Sequence, residues 1–465
     1  MVVDLDNNRT LARQNADELM MPASNMKLFT TASALGVLGE DFVFETKLRM
    51  IDEKTIIVRG DGDPAFGDPK ILWQTPLAAL NGTPYEGQKI DIELMLRIWI
   101  DQIRKAGVKR IERLIIDDRI FDQKTIHPTW PEDQLHKWYC AQVAGLNFNT
   151  NCVDIYATPT KIGRTPRIRI VPHTKGTSFL SVTNRTVTGD SDTFWVSRKI
   201  STNQLTFSGK VRIHRKTPVW VTVHDPAMFF GNVLASRLIN TGVAVDMVTR
   251  PKADEILPRG KTLHVIRTPI TDVVNRCNKD SQNLYAEALL KRMGRQITGA
   301  PGSWENGSAA MRIFLREKLG THAARVQPAD GSGLSRNNRI TARVMIDLLG
   351  AMHRDRKIGP AFKASLAVAG KDGSLKKYFT TGMNGDVHGK TGYINFVRTL
   401  SGYLFVPGEK GETKTIAFSI LFNDIKPPAL SHQILKLRND LVYAIDKHTA
   451  PRKAIPKRTA VESAP

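Results

Sequence analysis

A chain of 465 residues with a 41% hydrophobic share is composed like a globular protein and is too long for one compact core, so about three domains are expected. No run approaches the roughly 18 apolar residues of a membrane-spanning helix, and three cysteines exclude a disulfide-rich scaffold and leave no Cys-x-x-Cys metal spacing. The formal charge of +22 favours polyanions such as acidic wall polymer or anionic lipid, while the absence of a paired-cysteine finger or an aromatic RNP stretch argues against a specific nucleic-acid partner.

In chain order, Val2, Val3 and Leu5, the turn residues Asp6-Asn7-Asn8, and Thr10-Leu11 read as a hairpin. The start therefore reads as a strand and lacks the basic and apolar regions of a secretory signal. Either the protein stays inside the cell or this start lies downstream of a leader. Pro22 suits a first helical turn, and Leu28, Phe29, Ala32 and Leu35 then recur at helical spacing, with Gly36 and Gly39 expected to end the run. A strand pair is expected around Phe42–Met50 and Thr55–Val58, followed by a domain boundary at Gly60-Asp61-Gly62-Asp63-Pro64.

Ile90–Gly107 has a helical pattern, and Ile111–Ile116 is a β-rich run ending in Asp117-Asp118. Beyond Thr158, short β-branched and polar runs continue through Trp220, which suggests a small all-β insert. Helical signals return at Phe229–Leu238 and again from Ser281 onward, and Thr399–Phe405 and Thr415–Phe422 read as neighbouring strands. The polar, proline-bearing segment from 451 to 465 reads as a disordered tail. The expected division is residues 1–60 and 260–465 in a first domain, 61–159 and 222–259 in an inserted second, and 160–221 in a small third.

Three short motifs carry chemistry, in the order Ser24-Asn25-Met26-Lys27, Ser281-Gln282-Asn283 and Lys390-Thr391-Gly392. A serine and a lysine three residues apart on a helix share a face, so hydroxyl and amine can meet as nucleophile and base. Each motif alone is common. Ser374-Leu375-Lys376-Lys377 repeats the first and Ser201-Thr202-Asn203 repeats the second. Context separates them: Ser24 opens a helix, Ser281 precedes one, and Lys-Thr-Gly occurs once, before a strand where a glycine lets a ligand approach the backbone.

In this combination S-x-x-K, S-x-N and K-T-G form the signature of penicillin-binding proteins and serine β-lactamases. Ser24 is then the candidate nucleophile, and Lys27, held neutral by burial and by the charge of Lys390, the base. Ser281 can relay a proton to the leaving amine and Asn283 can hold Lys27 and the substrate backbone. Thr391 and Lys390 suit a terminal carboxylate, and the backbone N–H groups of Ser24 and Tyr393 suit an oxyanion.

With these motifs, and with the long separation of the first two, the chain resembles the low-molecular-mass class C penicillin-binding proteins, the D-alanyl-D-alanine carboxypeptidase/endopeptidase family S13. The resemblance extends to Gly60-Asp61-Gly62-Asp63-Pro64 and Asp330-Gly331-Ser332-Gly333-Leu334-Ser335. It implies an α+β, transpeptidase-like domain split by an insertion, with a second domain inserted in it and a smaller β-rich third inside the second. It further implies an acyl-Ser24 intermediate on peptidoglycan stem peptides, covalent inhibition by β-lactams, a periplasmic location, and neither cofactor nor metal.

Two further roles come with the resemblance, although Cys140 and Cys152, close in sequence, also suit a local bridge if the protein is exported. Asp117 matches the residue by which the second domain contacts the free amine of the stem peptide, and Cys140 and Cys152 match a family disulfide. Gln282 and Tyr393 depart from the residues usual at their motif positions. A β-lactamase or esterase using the same site, and a basic, non-catalytic wall-binding protein, are the alternative readings. The basic surface would in any case aid association with an anionic wall or membrane surface.

Overall fold

A computed structural model describes residues 1–76, 82–408, 412–426 and 430–450. The expected tail over 451–465 lies outside the described residues.

The N-terminal hairpin, Val2–Asp4 and Arg9–Ala12, forms, and it completes a sheet built mainly from the other end of the chain. Its antiparallel order is Ala367–Val368, Asp386–Ile394, Val397–Pro407, Thr413–Phe422, Val2–Asp4, Arg9–Ala12. Against one face pack the helices Met26–Leu38, Ile270–Lys279, Asn283–Thr298, Trp304–Leu319 and Ala342–Arg354, which share one apolar core. Met26–Leu38 is at the centre, with every residue from Met26 to Leu35 buried. A helix apolar or small on all sides is a core helix rather than a surface one.

Gly36 does not end this helix. It lies inside it, where an added Cβ would fall 2.0 Å from the Phe314 ring. It serves close helix packing, and termination belongs to Gly39 at φ +93.

A second sheet has the order Ala244–Thr249, Arg110–Asp117, Thr55–Arg59, Val43–Asp52, Lys261–Pro269. It crosses the border expected at residue 60, because both strands before the Gly60–Pro64 break and the strand after residue 260 belong to it. The alternating burial of Val43–Asp52 marks a strand with one packed face, but nothing local says which sheet it joins. The helices Ile92–Lys105 and Pro226–Asn240 share its core.

The β-rich insert is present as short strands. Its Phe194, Val196, Leu205 and Phe207 belong to that same core, and its strands Val219–Thr222 and Arg167–Val171 flank Cys152–Thr158 from the second segment. Among the described residues no helix is long and apolar enough to cross a membrane.

Asp68 fastens the inserted part to the catalytic helices. It caps the helix Pro69–Gln74 by accepting from Lys70 N (2.9 Å), and it also accepts from Arg276 Nε (2.9 Å) and Tyr285 Oη (2.6 Å). Its side chain is 1% exposed, and removing it takes from Arg276 one of its two carboxylates and from the buried Tyr285 hydroxyl its acceptor. Asp68→Ala is expected to cost about 1.5–3 kcal/mol in urea unfolding, and a loss under about 1 kcal/mol, the size typical of an exposed pair, would contradict this role.

Candidate active site

The chain enters the site through a 3-10 turn, Ala23–Asn25, that runs directly into the helix Met26–Leu38. Lys27 lies one turn on from Ser24, and its Nζ donates to Ser24 Oγ (3.1 Å), Asn283 Oδ1 (2.6 Å) and the Ser332 carbonyl (2.9 Å). All three acceptors are neutral. Burial lowers the Lys27 pKa to about 8, against the opposing pull of Cys277, Glu287 and Asp330.

Ser281 occupies the bend between the helices Ile270–Lys279 and Asn283–Thr298 at φ +59, and Ala23, beside the other key serine, has φ +46. Non-glycine residues in this region carry strain of about 1–3 kcal/mol and cluster at functional sites. Asp280 anchors the bend through Lys70 (2.6 Å) and Arg276 (2.8 Å). Asn283 opens the following helix, and its Nδ2 donates to the Tyr139 carbonyl (2.7 Å). One amide thus holds Lys27 and the Tyr139 loop together.

Lys390 lies on the strand Asp386–Ile394 and donates to Ser281 Oγ and to the Thr391 carbonyl, both at 2.8 Å. Burial, reinforced by Lys27, holds its pKa well below the ordinary lysine value. Gly392 is needed for contact between this strand and the Ser24 turn. A Cβ there would fall 2.0 Å from Thr399 Oγ1, 2.9 Å from the Pro22 carbonyl and 3.1 Å from Ser24 N. Thr399 Oγ1 donates to the Pro22 carbonyl (3.0 Å), and Asn25, in the amide orientation that satisfies both its ends, donates to the Lys390 carbonyl (2.8 Å) while accepting from Ser401 Oγ (2.7 Å). Tyr393, the next residue, has a side chain open to solvent.

The Asp330–Ser335 loop closes the site from below. Its shape is set by two buried carboxylates. Glu287 accepts from the N–H groups of Gly331 (2.9 Å) and Ser332 (2.8 Å), and Asp330 from those of Gly333 (2.8 Å) and Ser335 (2.6 Å). Burial, with Asp330 nearby, raises Glu287 to about 7. Gly333, at φ +84, passes so close to Ala23 that a Cβ would fall 1.7 Å from its carbonyl oxygen.

Ser24, Ser281, Asn283, Thr391 and Tyr393 line one cavity of about 440 Å³. Lys27 and Lys390 lie beneath it. Gly333, from the Asp330–Ser335 segment already singled out, also lines it, together with Gln134, Trp138, Tyr139 and Arg336, which no motif marked. Gln134, Trp138 and Tyr139 lie in short 3-10 turns without a sequence pattern. A larger groove of about 660 Å³ beside the N-terminal hairpin contains none of the motifs.

Two expected roles are corrected. Asp117 ends the strand Arg110–Asp117 outside the lining of the Ser24 cavity, and its carboxylate is already held by Arg119 through Nε–Oδ1 (2.8 Å) and Nη2–Oδ2 (3.2 Å). Its neighbour Asp118 is bound by Arg250 at 2.9 Å through both oxygens, which leaves the pair structural. Cys140 and Cys152 are free thiols. Cys140 is packed in the catalytic core, whereas Cys152 opens the strand Cys152–Thr158 opposite Thr222 in a different sheet. Burial raises both thiols, Cys140 to about 12. The decoys are also placed: Ser374 is in a separate 3-10 turn, and Ser201 lies in a turn of the β-rich insert.

Comparison with known proteins shows the fold and the family. The chain is 29% identical over 457 residues to a D-alanyl-D-alanine carboxypeptidase of Actinomadura sp. (strain R39), covering 92% of this chain and 78% of the relative. It is 21% identical over 430 residues to the D-alanyl-D-alanine carboxypeptidase DacB of Haemophilus influenzae, covering 86% and 81%. The crystal structure of penicillin binding protein 4 from H. influenzae superposes with a TM-score of 0.72 at 20% identity, over 96% of this chain and 95% of that one. A predatory endopeptidase of Bdellovibrio bacteriovorus, solved with its immunity protein, does so at 0.51 and 15% identity, over 98% and 93%. Residues 1–440 match the D-Ala-D-Ala carboxypeptidase 3 (S13) family, and the chain belongs to it.

Proposed function

We propose that the protein is a serine D,D-peptidase of peptidoglycan stem peptides that works through an acyl-Ser24 intermediate. It removes a terminal D-alanine or opens D-alanyl cross-links, two reactions with the same acyl-enzyme and different leaving amines. The observation that carries this is the 3.1 Å contact between Ser24 Oγ and a fully buried Lys27 with only neutral acceptors.

Neutral Lys27 takes the Ser24 proton as Oγ attacks the penultimate D-alanyl carbonyl. The N–H groups of Ser24 and Tyr393 receive the oxyanion. The C–N bond then breaks as Ser281, linked to Lys390, passes its hydroxyl proton to the departing amine, and the proton that Lys27 took from Ser24 replaces it, which leaves Lys27 neutral again. Thr391 and Lys390 hold the carboxylate of the leaving residue. Water, deprotonated through the same Lys27, attacks the ester and returns free Ser24 with a carboxylic acid product.

A β-lactam presents the same carbonyl and carboxylate but keeps its leaving amine tethered, which makes it a covalent inhibitor. Such a substrate places the enzyme outside the cytoplasm, in the periplasm, where a net charge of +22 aids retention on an anionic wall.

Three results are expected. Purified protein releases D-alanine from a stem pentapeptide, and Ser24→Ala abolishes release while leaving the thermal transition in place; release that persists in Ser24→Ala overturns the reading. Acylation requires neutral Lys27, so its rate should rise with pH up to about 8 and level above it; a rate flat between about pH 6 and 8 contradicts a titrating Lys27. Gly333→Ala moves the Ala23–Ser24 turn and should slow acylation about 100-fold, the cost of misplacing a reacting group by ~1 Å. An unchanged rate would show that the close approach is dispensable.

A further inference from the structure

A second cavity, of about 490 Å³, shares Thr391 and Tyr393 with the Ser24 cleft and is also lined by Ser374, Arg398, Ser431 and Arg438. None of its lining residues is acidic.

Its two arginines are buried and, among the described residues, have no counter-ion. Arg398 is 9% exposed and Arg438 is 2% exposed. Arg398 donates to the carbonyls of Ile394 (3.1 Å) and Val397 (2.8 Å) and to Ser431 Oγ, and its guanidinium lies 3.8 Å from the Tyr393 ring centre. Arg438 donates to Asn439 Oδ1 at 2.9 Å from Nη2 and 3.2 Å from Nε, and lies 5.3 Å from the Tyr378 ring centre. All these partners are neutral, and among the described residues neither arginine forms an ion pair. Elsewhere Arg276 holds Asp68 and Asp280, and Arg250 holds Asp118 and Asp225; the buried Arg198 has neutral partners only, so what marks Arg398 and Arg438 is that the two line one cavity.

Burying an ion costs several kcal/mol unless a partner offsets it, and arginine does not escape by losing its proton. A further donor points the same way: among the described residues, Ser374 Oγ is buried without a hydrogen-bond partner. A cavity with two guanidiniums, a free hydroxyl and no carboxylate is complementary to an anion.

The geometry points to a carboxylate subsite, formed by Arg398, Arg438 and Ser374, that takes a second carboxylate carried by the leaving residue of the substrate. This rests on the reading given under Proposed function, in which Thr391 holds the first carboxylate of that residue. The subsite begins at the same threonine. A planar guanidinium matches a carboxylate in shape as well as charge, so the protein would prefer dicarboxylate leaving groups over a neutral one of equal size.

The test uses three peptides with one acyl part and with D-glutamate, D-glutamine or D-alanine as the leaving residue. Wild-type kcat/KM should favour D-glutamate over D-glutamine by about tenfold, equivalent to about 1.4 kcal/mol. Arg398→Gln and Arg438→Gln should each bring that ratio towards one while D-alanine release persists. A wild-type ratio of one or less overturns the subsite, and this comparison needs no variant to fold. A ratio of one together with a higher melting temperature in inorganic phosphate would assign the cavity to free anions and overturn it equally. Release of no leaving residue from any peptide, with no penicillin label on Ser24, would overturn the underlying reading and the subsite with it.

Discussion

The site depends on keeping a lysine amine in the core without a carboxylate hydrogen-bonded to it. Lys27 is wholly buried and donates to a serine hydroxyl, an amide oxygen and a backbone carbonyl. A direct carboxylate partner would fix the ammonium and remove the base. The nearby acids Glu287 and Asp330 instead accept backbone N–H groups of the loop that supplies the Ser332 carbonyl. They shape the acceptor and leave the amine free to titrate. Lys390 repeats the arrangement on the adjacent strand with Ser281.

Three chain segments distant in sequence must meet around that amine, and close backbone approach brings them together. Gly333 and Gly392 each come against the Pro22–Ser24 turn at distances no Cβ permits. Asn25 and Thr399 then bond across the contact. The inserted part is fastened to this frame through Asp68, Arg276 and Asp280, immediately before the strained Ser281. Strain at Ala23 and Ser281 is held by the surrounding contacts, Ala23 by full burial against Gly333 and the Ser281 bend by the Asp280 ion pairs.

Sequence patterns revealed the chemistry more fully than the architecture. The three motifs and their order contain two of the three groups that accept from Lys27, Ser24 and Asn283, but not the Ser332 carbonyl or the nearby acids Glu287 and Asp330, since nucleophile, base and relay must be specific residue types. Sheet membership was less legible: Val43–Asp52 and Thr55–Arg59 were recognisable as strands, but the pairing of Thr55–Arg59 with Arg110–Asp117 depends on contacts across a long insertion. Gly36 resembles a helix stop because a glycine in a sequence does not reveal that Phe314 will lie against it. Asp117 owes its expected role to resemblance, and the pair Cys140 and Cys152 to resemblance and closeness in sequence, whereas the local partner Arg119 and the two separate packing environments decide against those roles. Arg398 and Arg438 carry no motif, and their lack of counter-ions is visible only in three dimensions.

The central claim is that Ser24 becomes acylated. Intact-mass and peptide-mapping mass spectrometry after incubation with benzylpenicillin tests it most directly. The account predicts one penicilloyl adduct per chain, on the peptide bearing Ser24, that is lost in Ser24→Ala. An adduct on Ser374 or any other residue, or none on folded protein, would contradict it.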